Sequence, residues 1–108
     1  MREKIHSYLG FSKRSRSLIS GYNSCLYGLE RSKICLLILA EDLAENTLEK
    51  FKKLAAAQGI PLRIYGTKKT ISGMTGEDDR GVFGITDKNL AAAILEEIDR
   101  DGQNSEKE

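Results

Sequence analysis

The chain has 108 residues, 40% of them apolar and 31% charged, with one proline and a net charge of +1. That length holds one compact domain with a modest core, burying roughly two-thirds of the unfolded surface. No stretch approaches the ~20 apolar residues of a membrane span, and the N-terminus lacks the apolar segment of a secretory signal, so the expected location is the cytoplasm with no membrane partner. The near-neutral total hides an asymmetry: residues 1–40 carry +5, residues 41–86 balance, and residues 87–108 carry −4. Such a gradient can place a basic face on a nearly neutral protein, or it can be solvated charge spread around the surface.

In chain order, Ile5, Tyr8, Leu9 and Ser12 follow i, i+3, i+4, i+7 spacing and predict a helix over residues 2–14. Lys13, Arg14 and Arg16 crowd its end, where cations suit the helix dipole. Leu18-Ile19-Ser20 reads as a short strand broken by Gly21. Residues 23–32 read as a helix that starts at Asn23 or Ser24 and turns Leu26 and Leu29 inward. Residues 34–40 are apolar without a break, the pattern of a strand covered on both faces. Such a strand requires helices above and below it.

Residues 45–58 give the clearest helix, with Leu48, Phe51, Leu54 and Ala55 on one face and Gly59 as its C-terminal stop. Leu62 to Tyr65 reads as a third strand, and Thr67 as the cap of a short helix over 68–75. A charged loop from Gly76 to Gly81 leads to a fourth strand, Val82 to Ile85. Asp87 caps a last helix with Leu90, Ala91, Ile94, Leu95 and Ile98 inward. Residues 1–100 are therefore expected to form a single α/β domain, a four-stranded sheet between two helical layers. Residues 101–108 are expected to be a disordered polar tail.

Chemistry-bearing residues are few. Cys25 and Cys35 have neither metal-ligand nor redox spacing and read as small apolar residues. His6 is the only histidine and reads as a helix-surface residue, so no metal site, cofactor or catalytic triad is expected. Glu41 and Asp42 follow a buried strand, but no histidine or cysteine neighbours them to make a nucleophile and base. They read as residues that satisfy backbone N–H groups at a helix start. The junction Gly21-Tyr22-Asn23-Ser24 offers more. A glycine lets a partner's backbone approach, a helix start presents N–H groups suited to phosphate, and an asparagine amide can read a base edge. Tyr22 and Tyr27 could stack on bases or cover the junction, and Arg31 lies on about the same helical face. An ordinary cap at Asn23 with surface tyrosines explains these residues equally well.

Three local motifs in this order of elements resemble the kink-turn-binding ribosomal-protein superfamily, and within it the short bacterial YlxQ-type members. They are Ser20-Gly21-Tyr22-Asn23, then Leu37-Ile38-Leu39-Ala40-Glu41-Asp42, then Glu45-Asn46-Thr47 with Ile60-Pro61 and Gly66-Thr67-Lys68. The resemblance spans about Tyr8 to Ile94. It implies a three-layer α/β/α sandwich around a four-stranded mixed sheet, and a non-catalytic RNA-binding protein that takes structured RNA bent at a kink, ribosomal or other, with the ribosome as a candidate partner. It implies that Gly21 allows close approach, Asn23 reads a guanine, Arg31 and Lys68 meet phosphates, and Gly76 begins a loop over flipped-out nucleotides. Ser24 stands where many members carry an acidic residue, Tyr27 where a lysine is common, and Ser72 where a second glycine is usual. The loop after Gly76 is Glu77-Asp78-Asp79, acidic unless Arg80 compensates. Each lost bidentate base contact costs about 1–3 kcal/mol. The alternative reading is a protein-interaction module on the same fold, with the exposed tyrosines as anchors.

Overall fold

The computed structural model describes residues 3–106, with side chains through Asp101. The elements are α1 (Glu3–Arg14), β1 (Leu18–Ser20), α2 (Tyr22–Glu30), β2 (Leu36–Leu39), α3 (Glu45–Gln58), β3 (Leu62–Ile64), α4 (Lys68–Thr75), β4 (Val82–Ile85) and α5 (Lys88–Glu106). The strands form one sheet in the order β1-β4-β2-β3. β4 runs antiparallel to both β1 and β2, and β3 runs parallel to β2. The sheet is therefore mixed, and only β4 points the other way.

The unbroken apolar run has the cause read from the sequence. Leu36 and Ile38 of β2 face a core formed with Ile5 and Leu9 of α1, Ile71 of α4 and Ile94 and Ile98 of α5. Leu37 and Leu39 face the other side, against Cys25 and Leu29 of α2 and Phe51 and Ala55 of α3. Successive strand residues point to opposite faces, and each face has its own helical layer, so every position of β2 must be apolar. The strand itself is shorter than the run. Ile34 precedes it and fills the space over Gly28, where an added methyl would lie 3.1 Å from Ile34 Cδ1 and 2.9 Å from Ile19 Cδ1. Glycine at 28 thus lets α2 lie close on the sheet.

Two boundaries differ from the sequence expectation. Asn23 and Ser24 do not cap α2; Gly21 holds the cap position and no side-chain cap bond forms. The last helix also continues to Glu106, past the expected start of the tail. Its later turns are tied to the edge of the sheet, because Arg63 donates two hydrogen bonds to Asp99 (2.6 and 3.1 Å) and Tyr65 donates one to Asp101 (2.6 Å). Residues 107 and 108 of that expected tail lie outside the described residues. Thr67 caps α4 as expected, within a reciprocal box with Thr70, and Asp87 Oδ1 accepts the Leu90 N–H at 2.8 Å. Among the described residues no helix is long and apolar enough to cross a membrane.

Candidate nucleic-acid interface

The topology gathers the sequence-marked residues at one pole. β1, β2 and β3 point the same way, and each is followed at once by a helix: α2, α3 and α4. Three helix N-termini, each with a partial positive charge, therefore begin at the same end of the sheet; α2 and α3 have no side-chain cap there, whereas the first turn of α4 is already held by Thr67 and Asp42. The loop into β4 closes that end. Backbone hydrogen bonds lock the junctions together: Gly21 N–H to the Val82 carbonyl (2.8 Å), Ala40 N–H to Gly81 (2.9 Å) and Glu41 N–H to Gly66 (2.8 Å). Asp42 Oδ1 accepts the Lys68 N–H at 2.9 Å, the helix-start role expected for this carboxylate.

Gly21 sits at the centre of this pole with φ 105° and ψ 154°, a region essentially reserved for glycine. A methyl group on Gly21 would lie 2.8 Å from Arg80 Nη1, so the Arg80 guanidinium lies over the start of α2. Asn23 and Ser24 are exposed on the first turn, and the Asn23 amide has no hydrogen-bond partner among the described residues. Tyr22 is not a free stacking platform. Its ring meets Phe51 edge-on (centroids 5.3 Å apart, planes at 87°), and Lys50 Nζ lies 5.2 Å from its centroid. Lys68 is half-buried; its stem packs so closely over Gly81 that an added methyl there would lie 2.9 Å from Lys68 Cγ. Gly76 ends α4 in the left-handed conformation (φ 73°) and opens the loop.

Tyr27 and Arg31 stand apart from this cluster. Arg31 ends α2, more than two turns and about 15 Å along the axis from Gly21. Its Nη1 donates to the Tyr27 hydroxyl at 2.8 Å, and its guanidinium carbon lies 5.0 Å from that ring's centroid. The pair is exposed and forms a separate cationic and aromatic patch along the helix. A partner held at the mouth reaches it only by following α2.

The acidic loop is less repellent than its composition implies. Glu77 pairs with Lys13 of α1, 64 residues earlier, and that bond holds its carboxyl below the usual carboxylate range. Desolvation opposes this shift, and the Ser20 hydroxyl and the charges of Lys13 and Arg80 add smaller contributions in the lowering direction. Asp78 and Asp79 are exposed, and Asp79 adopts φ 51° at the loop tip. Neither the Lys13–Glu77 pair nor the position of Arg80 over Gly21 was legible in local sequence. The only signal was a lone arginine at the end of three acidic residues.

Cys25 is buried and its thiol is pushed up to about 12 by desolvation, as a packing residue requires. Both cysteines are free, and among the described residues no cluster of three or more His, Cys, Asp or Glu could hold a metal ion.

Two curated relatives are each named RNA-binding protein YlxQ. The one from Enterococcus faecium is 29% identical over 98 residues, covering 91% of this chain and 94% of that protein. The one from Bacillus subtilis strain 168 is 23% identical over 91 residues, covering 84% and 91%. Among solved structures, a Bacillus halodurans protein of unknown function superposes with a TM-score of 0.87 at 24% identity, covering 91% of this chain and 99% of that one. The Giardia lamblia 15.5kD RNA binding protein superposes with a TM-score of 0.76 at 17% identity, covering 93% and 92%. The model of the ribosomal protein L7Ae/L30e/S12e/Gadd45 family matches residues 3–94, and the chain belongs to that family.

Proposed function

We propose that this protein is a non-catalytic RNA-binding protein whose target is structured RNA bent at a kink, ribosomal or otherwise. The observation that carries the reading is the single pole at which Gly21, Asn23, Lys68 and Arg80 meet around the starts of α2 and α4. Gly21 adds no side chain of its own to the helix start, Asn23 offers an unspent amide for a base edge, and Lys68 and Arg80 supply charge for phosphates. A guanidinium on an exposed, flexible stem does not plug the mouth; it brings to it the charge a phosphate needs. Two relatives bear RNA binding in their names over nearly the whole chain, which supports the coarse part of the proposal.

Ribosomal RNA is the source favoured by the family, and a cytoplasmic, ribosome-associated role follows from it. The Tyr27–Arg31 patch favours a second reading, a protein partner on the flank of α2, because an aromatic held under a guanidinium is a common interface anchor. The deciding test is a gel shift with a kink-turn RNA carrying sheared G·A pairs against a straight duplex of equal length. Tighter retention of the kinked RNA is the expected result. Equal retention of both removes kink specificity, and retention of neither removes the RNA reading.

A further inference from the structure

Ser72 lies on the second turn of α4, only 4% exposed, and gathers both ends of the loop into β4. Its carbonyl accepts the N–H groups of Gly76 and Glu77, the latter at 2.9 Å, and so holds the start of the loop. Its hydroxyl holds the end. Ser72 Oγ accepts the Arg80 N–H at 2.7 Å and donates to the Arg80 carbonyl at 3.0 Å. One side-chain oxygen thereby fixes the peptide units on both sides of Arg80. With Glu77 drawn to Lys13 and Ser20, the untethered span is reduced to Asp78 and Asp79. Arg80 then projects from a fixed pivot, and its guanidinium falls over Gly21.

We infer that Ser72 is a positioning residue for RNA recognition: its hydroxyl latches the loop and so presents Arg80 at the start of α2. The inference rests on the RNA reading above. A glycine or alanine at this position keeps the carbonyl contacts but loses both hydroxyl bonds, leaving the pivot of Arg80 free to sample other conformations. Binding then weakens in proportion to the fraction of molecules that hold the presenting conformation. A serine in this place converts a loop ordered at one end into a loop ordered at both.

The test combines hydrogen exchange with a double-mutant cycle on the full chain. In Ser72→Ala the Arg80 amide should exchange roughly three- to tenfold faster, the loss expected from one net hydrogen bond. Amides of β2 should keep their protection, which shows that the fold is intact. Affinity for the kink-turn RNA should fall roughly three- to tenfold at fixed ionic strength, and this loss should vanish when Arg80→Ala is already present. Unchanged exchange at Arg80 would overturn the latch. Multiplicative losses in the double variant would show that Ser72 acts on the fold at large, and would overturn its role through Arg80. If the wild-type protein retains no RNA, the RNA reading fails and takes the recognition role with it; the exchange result still shows whether the loop is latched.

Discussion

Gly21 carries two demands in one residue. Its backbone lies at φ 105° and ψ 154°, and its missing side chain leaves room for the Arg80 guanidinium. The first demand concerns stability and the second concerns the interface. Gly21→Ala should lower unfolding free energy by about 1–3 kcal/mol, the usual cost of a non-glycine residue in this region, read as a shift of the urea midpoint with an unchanged slope. Asn23 presents the opposite case. It is exposed, sits inside the first turn of α2 and caps nothing. Asn23→Ala should therefore change stability by less than about 0.5 kcal/mol, while weakening the kinked RNA by about 1–3 kcal/mol and leaving the straight duplex untouched. Equal weakening of both RNAs would remove Asn23 from base reading. Ser24 beside it is also exposed, with a hydroxyl too short to replace the longer acidic side chain common in the family.

Among the elements, α5 shows how a tertiary contact extends a helix beyond what composition suggests. The Arg63 fork on Asp99 and the Tyr65 bond to Asp101 anchor its later turns to the parallel edge strand β3. Arg63 holds the Asp99 carboxyl below its usual range, chiefly through the hydrogen bond and secondarily through its charge. A carboxyl depressed in the folded state contributes stability above its unfolded value, and that contribution is lost as the pH falls through the folded value. Asp99→Asn should accordingly be less stable than wild type by about 0.5–1 kcal/mol at neutral pH, the range of a good exposed pair. The two proteins should converge as the pH drops below about 4. A gap in urea midpoint that stays constant from neutral to acid pH would show that the pair contributes through shape alone. The same comparison explains what the sequence could show. β2 was legible because both of its faces are apolar, and α3 and α4 because Gly59 and Thr67 act within a few residues. The start of α2 was misplaced because a backbone conformation, and not the side chain of Asn23 or Ser24, makes that cap. The continuation of α5 past residue 100 was not legible because its anchors sit 36 residues earlier in the chain.

For the whole molecule, the charge gradient along the chain becomes a distribution in space. The basic first third does not simply face the mouth. Lys13 is spent on Glu77, and Arg31 is held with Tyr27 at the far end of α2. The acidic segment 87–108 lies mainly on α5, whose inner face packs with α1 and α4 on the layer opposite α2 and α3. Charge at the interface is then set by a few residues, Lys68 and Arg80 against the exposed carboxylates of Glu41, Asp42, Glu45, Asp78 and Asp79, together with the uncapped start of α2. This makes the electrostatic part of binding small and countable. Each phosphate neutralised by a lysine or arginine releases counterions, and log affinity falls with log salt by roughly 0.7–0.9 per contact. The Lys68 backbone N–H is already held by Asp42, so replacing its side chain leaves the start of α4 in place. Lys68→Ala should weaken kinked and straight RNA alike and reduce the salt slope by about one, with little change in the preference between them. A loss confined to the kinked RNA, with an unchanged slope, would place Lys68 on a base and not on a phosphate, and would move the specificity of this pole from α2 to α4.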